Sequence, residues 1–423
     1  MAILLVSLFL LGYLAITLET YLRLSKAVIA LITAFVLWGI LLMGHPDAKI
    51  ILDQLTPAIF ETLKIVLFLL GAMCIVALMD IQGGFFPITK ALSLIPKNRL
   101  VWAISILTFC LSAFLDNLTT AIVMVAIINK IVENTKSKWF LLGLVIIAAN
   151  AGGAFSPIGD VTTTMLWMGG QISPLKIIKH TFLASFVSMV IPTVIIQIKL
   201  KGKLSLLAFD INESKTEFNS SHRSTIFYTG ITCLLLIPFL KWYFDIPAYV
   251  GMIIGVGIMA LITGLLWSIT PTNKKELFPL GQLLNKIDIQ SGLFFFAILL
   301  SVAALDAANI LPLLALKLNN SVNNNLSLVA IGIGLFSALV DNIPLIAALQ
   351  HMYPLSTYPT DHYFWELLAY TAGTGGSCLL IGSAAGVAVM GLEKMDFFWY
   401  LKNISWIALA GFFTGAIIYV ITS

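Results

Sequence analysis

The sequence predicts an all-α polytopic membrane protein made of two inverted repeats, each with about five crossings, one re-entrant hairpin and one broken helix. Three observations carry that expectation. Of 423 residues, 59% are hydrophobic and 10% charged, with mean hydropathy +1.00; a soluble domain is about 45–50% apolar and about 25% charged. So few charges cannot screen so much apolar surface, and the main solvent must be lipid. Long apolar runs recur between short polar breaks, and in lipid such a backbone can satisfy its own polar groups only as helix. Finally, the second half of the chain repeats landmarks of the first in the same order.

The composition also excludes several classes. The net charge of +4 is small and scattered, which argues against nucleic acid or another polyanion as a partner. Cys74, Cys110, Cys233 and Cys378 sit inside apolar runs without C-x-x-C spacing. They read as small apolar residues, not as disulfides or metal ligands. No ATP-binding motif is present, so no cofactor is expected and an ion gradient is the expected energy source.

Taken in order, the apolar runs of the first half are 3–18, 22–44, 63–81, 99–115, 118–132, 139–170 and 180–199. Those of the second are 224–241, 247–269, 291–305, 326–350, 363–391 and 403–421. A crossing needs about 20 residues. Run 3–18 has no basic start and no small-residue cleavage site, so it is expected to be a mature span and not a signal peptide. Runs 99–115 and 118–132 are short and meet at a polar break, as do the two arms of 326–350. Hairpins over Arg99–Glu133 and Leu326–His351 are therefore expected, with 83–95 and 308–318 lying at the interface. Runs 139–170 and 363–391 are interrupted by Asn150–Ala151–Gly152–Gly153–Ala154–Phe155–Ser156–Pro157–Ile158–Gly159–Asp160 and by Thr371–Ala372–Gly373–Thr374–Gly375–Gly376–Ser377. Neither can be a continuous helix, because Gly permits unusual dihedrals and close approach and Pro removes a donor. The polar stretch Lys199–Arg223 marks the boundary between a first repeat, 1–199, and a second, 224–423, with residues 200–223 as linker.

The repeat is visible in polar landmarks. Asp116–Asn117 recurs as Asp341–Asn342, Asp80 as Asp306, and the Gly152–Gly153…Gly159 break as Gly375–Gly376…Gly382. Five crossings per half make the halves inverted, so the two hairpins would enter from opposite faces. With the linker cytoplasmic, 18 of the 24 Lys+Arg fall on its side, leaving Lys49, Lys64, Lys176, Lys179, Lys241 and Lys317 on the other. The positive-inside rule favours that orientation.

Five carboxylates lie within or at the ends of apolar runs: Asp80, Asp116, Asp160, Asp306 and Asp341. A charge at mid-membrane costs roughly 2.5 kcal/mol or more, so such residues are functional candidates. Asp80 and Asp306 end their spans and also read as interfacial helix termini. Asp116 and Asp341 lie at hairpin turns, each followed by Asn and a helix start. They can cap the second half-helix, or, with Asn117, Asn342 and unwound carbonyls, form an oxygen cage for a small cation. Thr119 and Thr120 can add hydroxyls. The Gly-rich breaks contribute Asn150, Ser156 and Asp160, and irregular backbone at membrane depth is tolerated only where buried or facing water. In the second break Ser383 stands where the first has Asp160. His45, His180, His222, His351 and His362 are all expected in solvated loops.

The Asp-Asn tips, together with the GG…SPIGD and GTGGS…IGS breaks, resemble the NhaD-type sodium/proton antiporters of the ion transporter superfamily over essentially the whole chain. The resemblance implies a scaffold that holds a homodimer and a transport domain that moves like an elevator. It implies roles for Asp116, Asn117, Thr120, Asp160, Asp341 and Asn342, with Ser337 and Ser377 as lesser candidates. Na⁺ would be held by Asp116, Asn117, Asp341 and Asn342. The second tip, Asp341–Asn342–Ile343–Pro344, lacks the threonines of the first, which argues against equal ligation from both halves. The expected activity is exchange of cytoplasmic Na⁺, with Li⁺ as a further candidate, for external H⁺ by alternating access. That implies a part in pH homeostasis and a place in a prokaryotic inner (plasma) membrane, with the linker cytoplasmic. Two rivals are an anion carrier of the same fold, for dicarboxylate or oxyanion, and an intramembrane aspartyl protease using Asp116 or Asp160. The tip carboxylates, with no Lys or Arg in either motif, disfavour the first; Pro157 in place of the first Gly of a G-x-G-D motif disfavours the second.

Overall fold

Every regular element among the described residues is helical, as a backbone in lipid requires. The computed structural model describes residues 1–17, 22–201, 204, 220–269, 287–339 and 341–423. Most of the expected linker 200–223, and residues 270–286, lie outside them. The first half contains α1 (Ala2–Thr17), α2 (Lys26–Gly44), α3 (Ala48–Ile81), α4 (Phe86–Ser93), α5 (Lys97–Leu115), α6 (Asn117–Ile131), α7 (Thr135–Ala154), α8 (Val161–Met168) and α9 (Pro174–Leu200). The second contains α10 (Ser220–Phe244), α11 (Ala248–Ile269), α12 (Ile289–Ala307), α13 (Ile310–Ser321), α14 (Leu326–Phe336), α15 (Asn342–Met352), α16 (Tyr363–Gly375), α17 (Ala384–Glu393), α18 (Phe397–Tyr400) and α19 (Trp406–Thr422).

Nine helical segments among the described residues are long and apolar enough to cross a membrane; this is a polytopic membrane protein. α1, at 16 residues, is shorter than these. α3 is longer than its apolar run: 34 residues with Pro57 inside, or about 50 Å. Asp47 caps its start, accepting the Lys49 amide at 3.0 Å. At the other extreme of environment, α7 is buried without interruption from Leu141 to Ala154. A helix apolar on all sides belongs in the interior, and α7 forms the centre against which the site is built.

Helix is interrupted near each expected break, but the two Gly-rich interruptions come later than the sequence placed them: Asn150–Ala154 and Thr371–Gly375 are still helical, their glycines serving close helix packing. α5 and α6 meet at Asp116, and α14 and α15 are separated by residues 337–341. α7 stops at Ala154 and α8 resumes at Val161, while α16 passes through a 3₁₀ turn at Gly376–Cys378 before α17 starts at Ala384. α5 packs on α7 as α14 packs on α16, and the backbone detail repeats. Ser112 Oγ donates to the Ala149 carbonyl at 2.6 Å, and Ser337 Oγ to the Ala372 carbonyl at 3.1 Å. A Cβ on Gly152 would sit 2.2 Å from the Phe109 carbonyl oxygen, and one on Gly375 would sit 1.9 Å from that of Gly334. Only glycine lets the paired helices approach so closely.

Contacts between the halves come in exchanged pairs. α2 packs on α12, and α3 on α11; α6 packs on α17, and α15 on α8; α9 packs on α19. Each half therefore completes the packing of the other.

The histidine expectation holds for His45 and His362 only. His180, His222 and His351 lie inside α9, α10 and α15. Two of them meet carboxylates: His180 Nδ1 is 2.9 Å from Glu366 Oε2, and His351 Nδ1 is 2.9 Å from Asp306 Oδ2. Asp80 and Asp306 fall in the last turns of α3 and α12, as helix termini. All four cysteines are free thiols.

Candidate functional site

The first break turns Asp160 inward. Its backbone is extended (φ −145°, ψ 148°) immediately before α8, yet its carboxylate makes no capping bond. Instead Oδ2 accepts from Thr162 Oγ1 at 2.7 Å, and Oδ1 accepts from Asn117 Nδ2 at 3.2 Å. Asn342 Nδ2 reaches Oδ2 at 3.5 Å. Asn117 and Asn342 open α6 and α15, so the first residue of each helix sends one amide to the same carboxylate. Asn117 Nδ2 also donates to Asn150 Oδ1 at 3.0 Å. The cluster is enclosed: Asn150 is 0% exposed, Asp160 2%, Asn117 4% and Asn342 6%.

Asp116 and Asp341 are arranged differently. Asp116 Oδ1 accepts the Thr119 amide and Oδ2 the Thr119 hydroxyl, both at 2.8 Å. Asp341 Oδ1 accepts the Ile343 amide at 3.2 Å. Both therefore cap the helix that follows, satisfying amides that have no partner within the helix. Both are half-buried. Asp116 is held at φ 68°, ψ 160°, a conformation that costs a non-glycine residue of order 1–3 kcal/mol; Asp341, at φ −49°, ψ 132°, is unstrained. Each acts electrostatically on Asp160.

The carboxylate that receives both asparagine amides is thus Asp160, while the carboxylates of Asp116 and Asp341 are engaged as helix caps. Among the described residues no Lys, Arg or His lies within 4 Å of Asp116, Asp160 or Asp341; the ion pairs involve other acids. Lys26, at the start of α2, is the cation whose field reaches Asp341.

Two buried polar atoms here have no partner among the described residues, Thr120 Oγ1 and Asn150 Nδ2. Thr120 lies one turn after Asn117 on the same face of α6. Leaving such a group unsatisfied costs about 1–3 kcal/mol, and both atoms mark the cluster as one that can take a guest. The available donors are carboxylate, amide, hydroxyl and unwound carbonyl oxygens, the hard ligands that small, hard cations prefer. No group of three or more His, Cys, Asp or Glu suited to a resident metal occurs among the described residues.

The remaining candidates brace the broken backbone. Ser156 Oγ donates to the Ala113 carbonyl at 2.6 Å, tying the first break to the first tip. Ser337 Oγ donates to Gly334 and Ala372 carbonyls. Ser377 Oγ donates to the Thr374 carbonyl at 2.5 Å, and the Ser377 carbonyl accepts from Tyr400 Oη at 2.7 Å. Two residues at the site escaped sequence reasoning. Thr162 could have been found from its place two residues after Asp160. Gly373 could not: a Cβ there would lie 3.2 Å from Asp160 Oδ2 and 3.0 Å from Ala154 Cβ, a closeness that only the fold creates.

A cavity of about 990 Å³ lies apart from this cluster, and none of the eleven candidate residues lines it. Its wall includes Met165 on α8 and Ala347 on α15, which follow Asp160 and Asn342 by five residues each. Lys64, Lys241, Asp306 and His351 contribute charge to it.

The sequence matches the citrate transporter (CitMHS) family over residues 13–373. It is 42% identical over 418 residues to sodium/proton antiporter 1 of Arabidopsis thaliana, covering 97% of this chain and 71% of that protein. It is 40% identical to sodium/proton antiporter 2 of the same plant, covering 97% of each. With the Na(+)/H(+) antiporter NhaD of Vibrio cholerae it shares 28% identity over 443 residues, covering 98% of this chain and 90% of that protein.

Proposed function

This chain belongs to the citrate transporter (CitMHS) family, among its NhaD-type sodium/proton antiporters, and on that premise we propose that it exchanges Na⁺ for H⁺ at Asp160. It is a transporter and not an enzyme, and the protease reading falls with that membership. One observation carries the proposal: a nearly inaccessible carboxylate receives an amide from each tip and has no basic group within 4 Å among the described residues. A buried carboxylate without a counter-charge is strongly disfavoured. It is relieved equally by a proton on its oxygen or by a metal cation among the oxygens around it. The two guests exclude each other, and mutual exclusion coupled to alternating access is sufficient for antiport.

Asn117, Asn150, Thr120 and Thr162 then supply oxygens to the cation, while the strained Asp116 and the cap Asp341 add negative field without surrendering their helix caps. On this reading the halves, 1–199 and 224–423, are inverted repeats joined by a cytoplasmic linker, and the helix pairs α5–α6 and α14–α15 are re-entrant hairpins entering from opposite faces. The exchanged contacts between halves support this, as does the 18-to-6 bias of Lys+Arg. The cavity, with Lys64 and Lys241 in its wall, then faces the outside. Li⁺ fits the same oxygens. A homodimer with a sliding transport domain follows from the resemblance.

The family's description names citrate, and an anion would require cationic ligands where this cluster places a carboxylate. The test is calorimetric titration of the purified protein with NaCl across pH 5.5–8.5. Competition for one carboxylate predicts an apparent Kd that rises as pH falls, approaching about tenfold per unit, with protons released on binding. A pH-independent Kd, or heat from citrate and none from Na⁺, would overturn the assignment.

A further inference from the structure

The ion pair between His351 and Asp306 joins α15, whose first residue reaches Asp160, to α12. His351 stands in the last turn of α15, whose first residue, Asn342, touches Asp160; the two are about 13 Å apart along the helix. Asp306 stands in the last turn of α12, which packs on α2 and α3 and carries none of the candidate residues. Their side chains are 43% and 36% exposed and both line the large cavity, so its water reaches both. The other cations of the wall are committed elsewhere: Lys64 Nζ to Glu61 at 2.7 Å, and Lys241 Nζ to the Trp167 carbonyl at 3.1 Å. Asp53 and Asp245 complete the charges of the wall. Of the other elements packed on α15, α8 adds only Met165, Met168 and backbone to the cavity and no titratable group. Lys317 of α13 is not in the wall, and Glu366 of α16 is held by His180 and Tyr419. Histidine is the side chain whose charge changes between about pH 5 and 8.

We propose that His351 and Asp306 form a proton-operated latch: a charged imidazolium holds α15 to α12 and keeps the cavity open, and loss of that proton frees α15 to move. The proposal rests on the alternating-access reading above and adds a control that responds to the pH of the cavity-side solution. An exposed pair of this kind is worth about 0.2–1 kcal/mol, so the latch biases the open state by up to about fivefold.

The test uses detergent-solubilised full-length protein without Na⁺, its four cysteines replaced by serine and a reporter introduced on the cavity wall as Ala303→Cys. The rate of labelling by a charged methanethiosulfonate is measured at pH 5.5 and 8.5 and divided by the rate in the same background carrying His351→Gln, which cancels the reactivity of the thiol itself. The ratio is expected to be about two to five at pH 5.5 and to fall to about one at pH 8.5. His351→Lys should hold it high at both pH values, and Asp306→Asn should hold it at one. A ratio that ignores pH, or a His351→Lys ratio that still falls with pH, overturns the latch. Because labelling requires neither Na⁺ nor exchange, failure of the antiport assignment is read separately, from the titration.

Discussion

Asp160 and Ser383 occupy equivalent stations in the two halves. Their backbones are nearly superimposable in dihedral space, φ/ψ −145°/148° against −141°/153°. Each follows a glycine pressed against its hairpin: a Cβ on Gly159 would sit 2.6 Å from the Ser112 carbonyl oxygen, and one on Gly382 would sit 2.5 Å from that of Ala338. The chemistry differs. Ser383 Oγ accepts the Gly386 amide at 3.2 Å and is consumed as a cap, whereas Asp160 is not a cap and serves the cluster. Asn150, in turn, is matched in the second half by Gly373, whose missing side chain leaves the space that Asp160 Oδ2 occupies. The two interrupted helices share this backbone, but the first carries Asn150 and Asp160 where the second has Gly373 and a capping Ser383.

The sharpest way to break this comparison is to make the halves alike. Asp160→Ser should abolish Na⁺-dependent proton flux in proteoliposomes, while Ser383→Ala should keep flux within about twofold and cost only the cap, about 1 kcal/mol of stability. Substantial flux in Asp160→Ser would show that the halves share the work. A smaller effect tests the two tips. Asn117→Ala removes a bond to the carboxylate and one to Asn150, so Na⁺ affinity should fall about tenfold or more, since bonds to charged groups are worth about 1.5–3 kcal/mol. Asn342→Ala removes one contact at 3.5 Å and should cost less than about fivefold by calorimetry. A reversed order would move the weight of the site to the second tip. The least functional and most structural test uses the glycine contacts that the halves share. Gly152→Ala and Gly375→Ala should each destabilise the detergent-solubilised protein by about 1–3 kcal/mol through overpacking, seen as matching drops in Tm. Gly332→Ala, with nothing within 4 Å, should be neutral or slightly stabilising.

Much of this organisation was legible because lipid makes polar residues conspicuous. The Asp-Asn pairs, the Gly-rich stretches and their equivalence stand out against apolar background, and each lies at or just before an interruption of helix. What was not legible depended on direction in space. Whether Asp116 caps its helix or faces the buried cluster is decided by φ/ψ and by Thr119, not by spacing, so the sequence listed Asp116, Asp160 and Asp341 together while the fold gives the two asparagine amides to Asp160. The early part of α3 was missed because Asp53, Gln54, Glu61 and Lys64 dilute its hydropathy; these residues line the cavity, so the helix continues where the lipid-facing pattern stops. His180 and His351 read as loop residues because they stand at the edges of apolar runs, and their carboxylate partners come from the other half or a distant helix.

The exchanged packing of the halves governs how the protein is made. When the first nine helices have left the ribosome, α2 and α3 still lack α12 and α11, and α6 and α8 lack α17 and α15. The early segments must wait in the bilayer as an unfinished assembly, with Asp160 beside only one of its two amide donors, until the last third of the chain is synthesised. A chain cut short at residue 269 would hold the Asp160 carboxylate without the Asn342 amide that the complete fold brings to it.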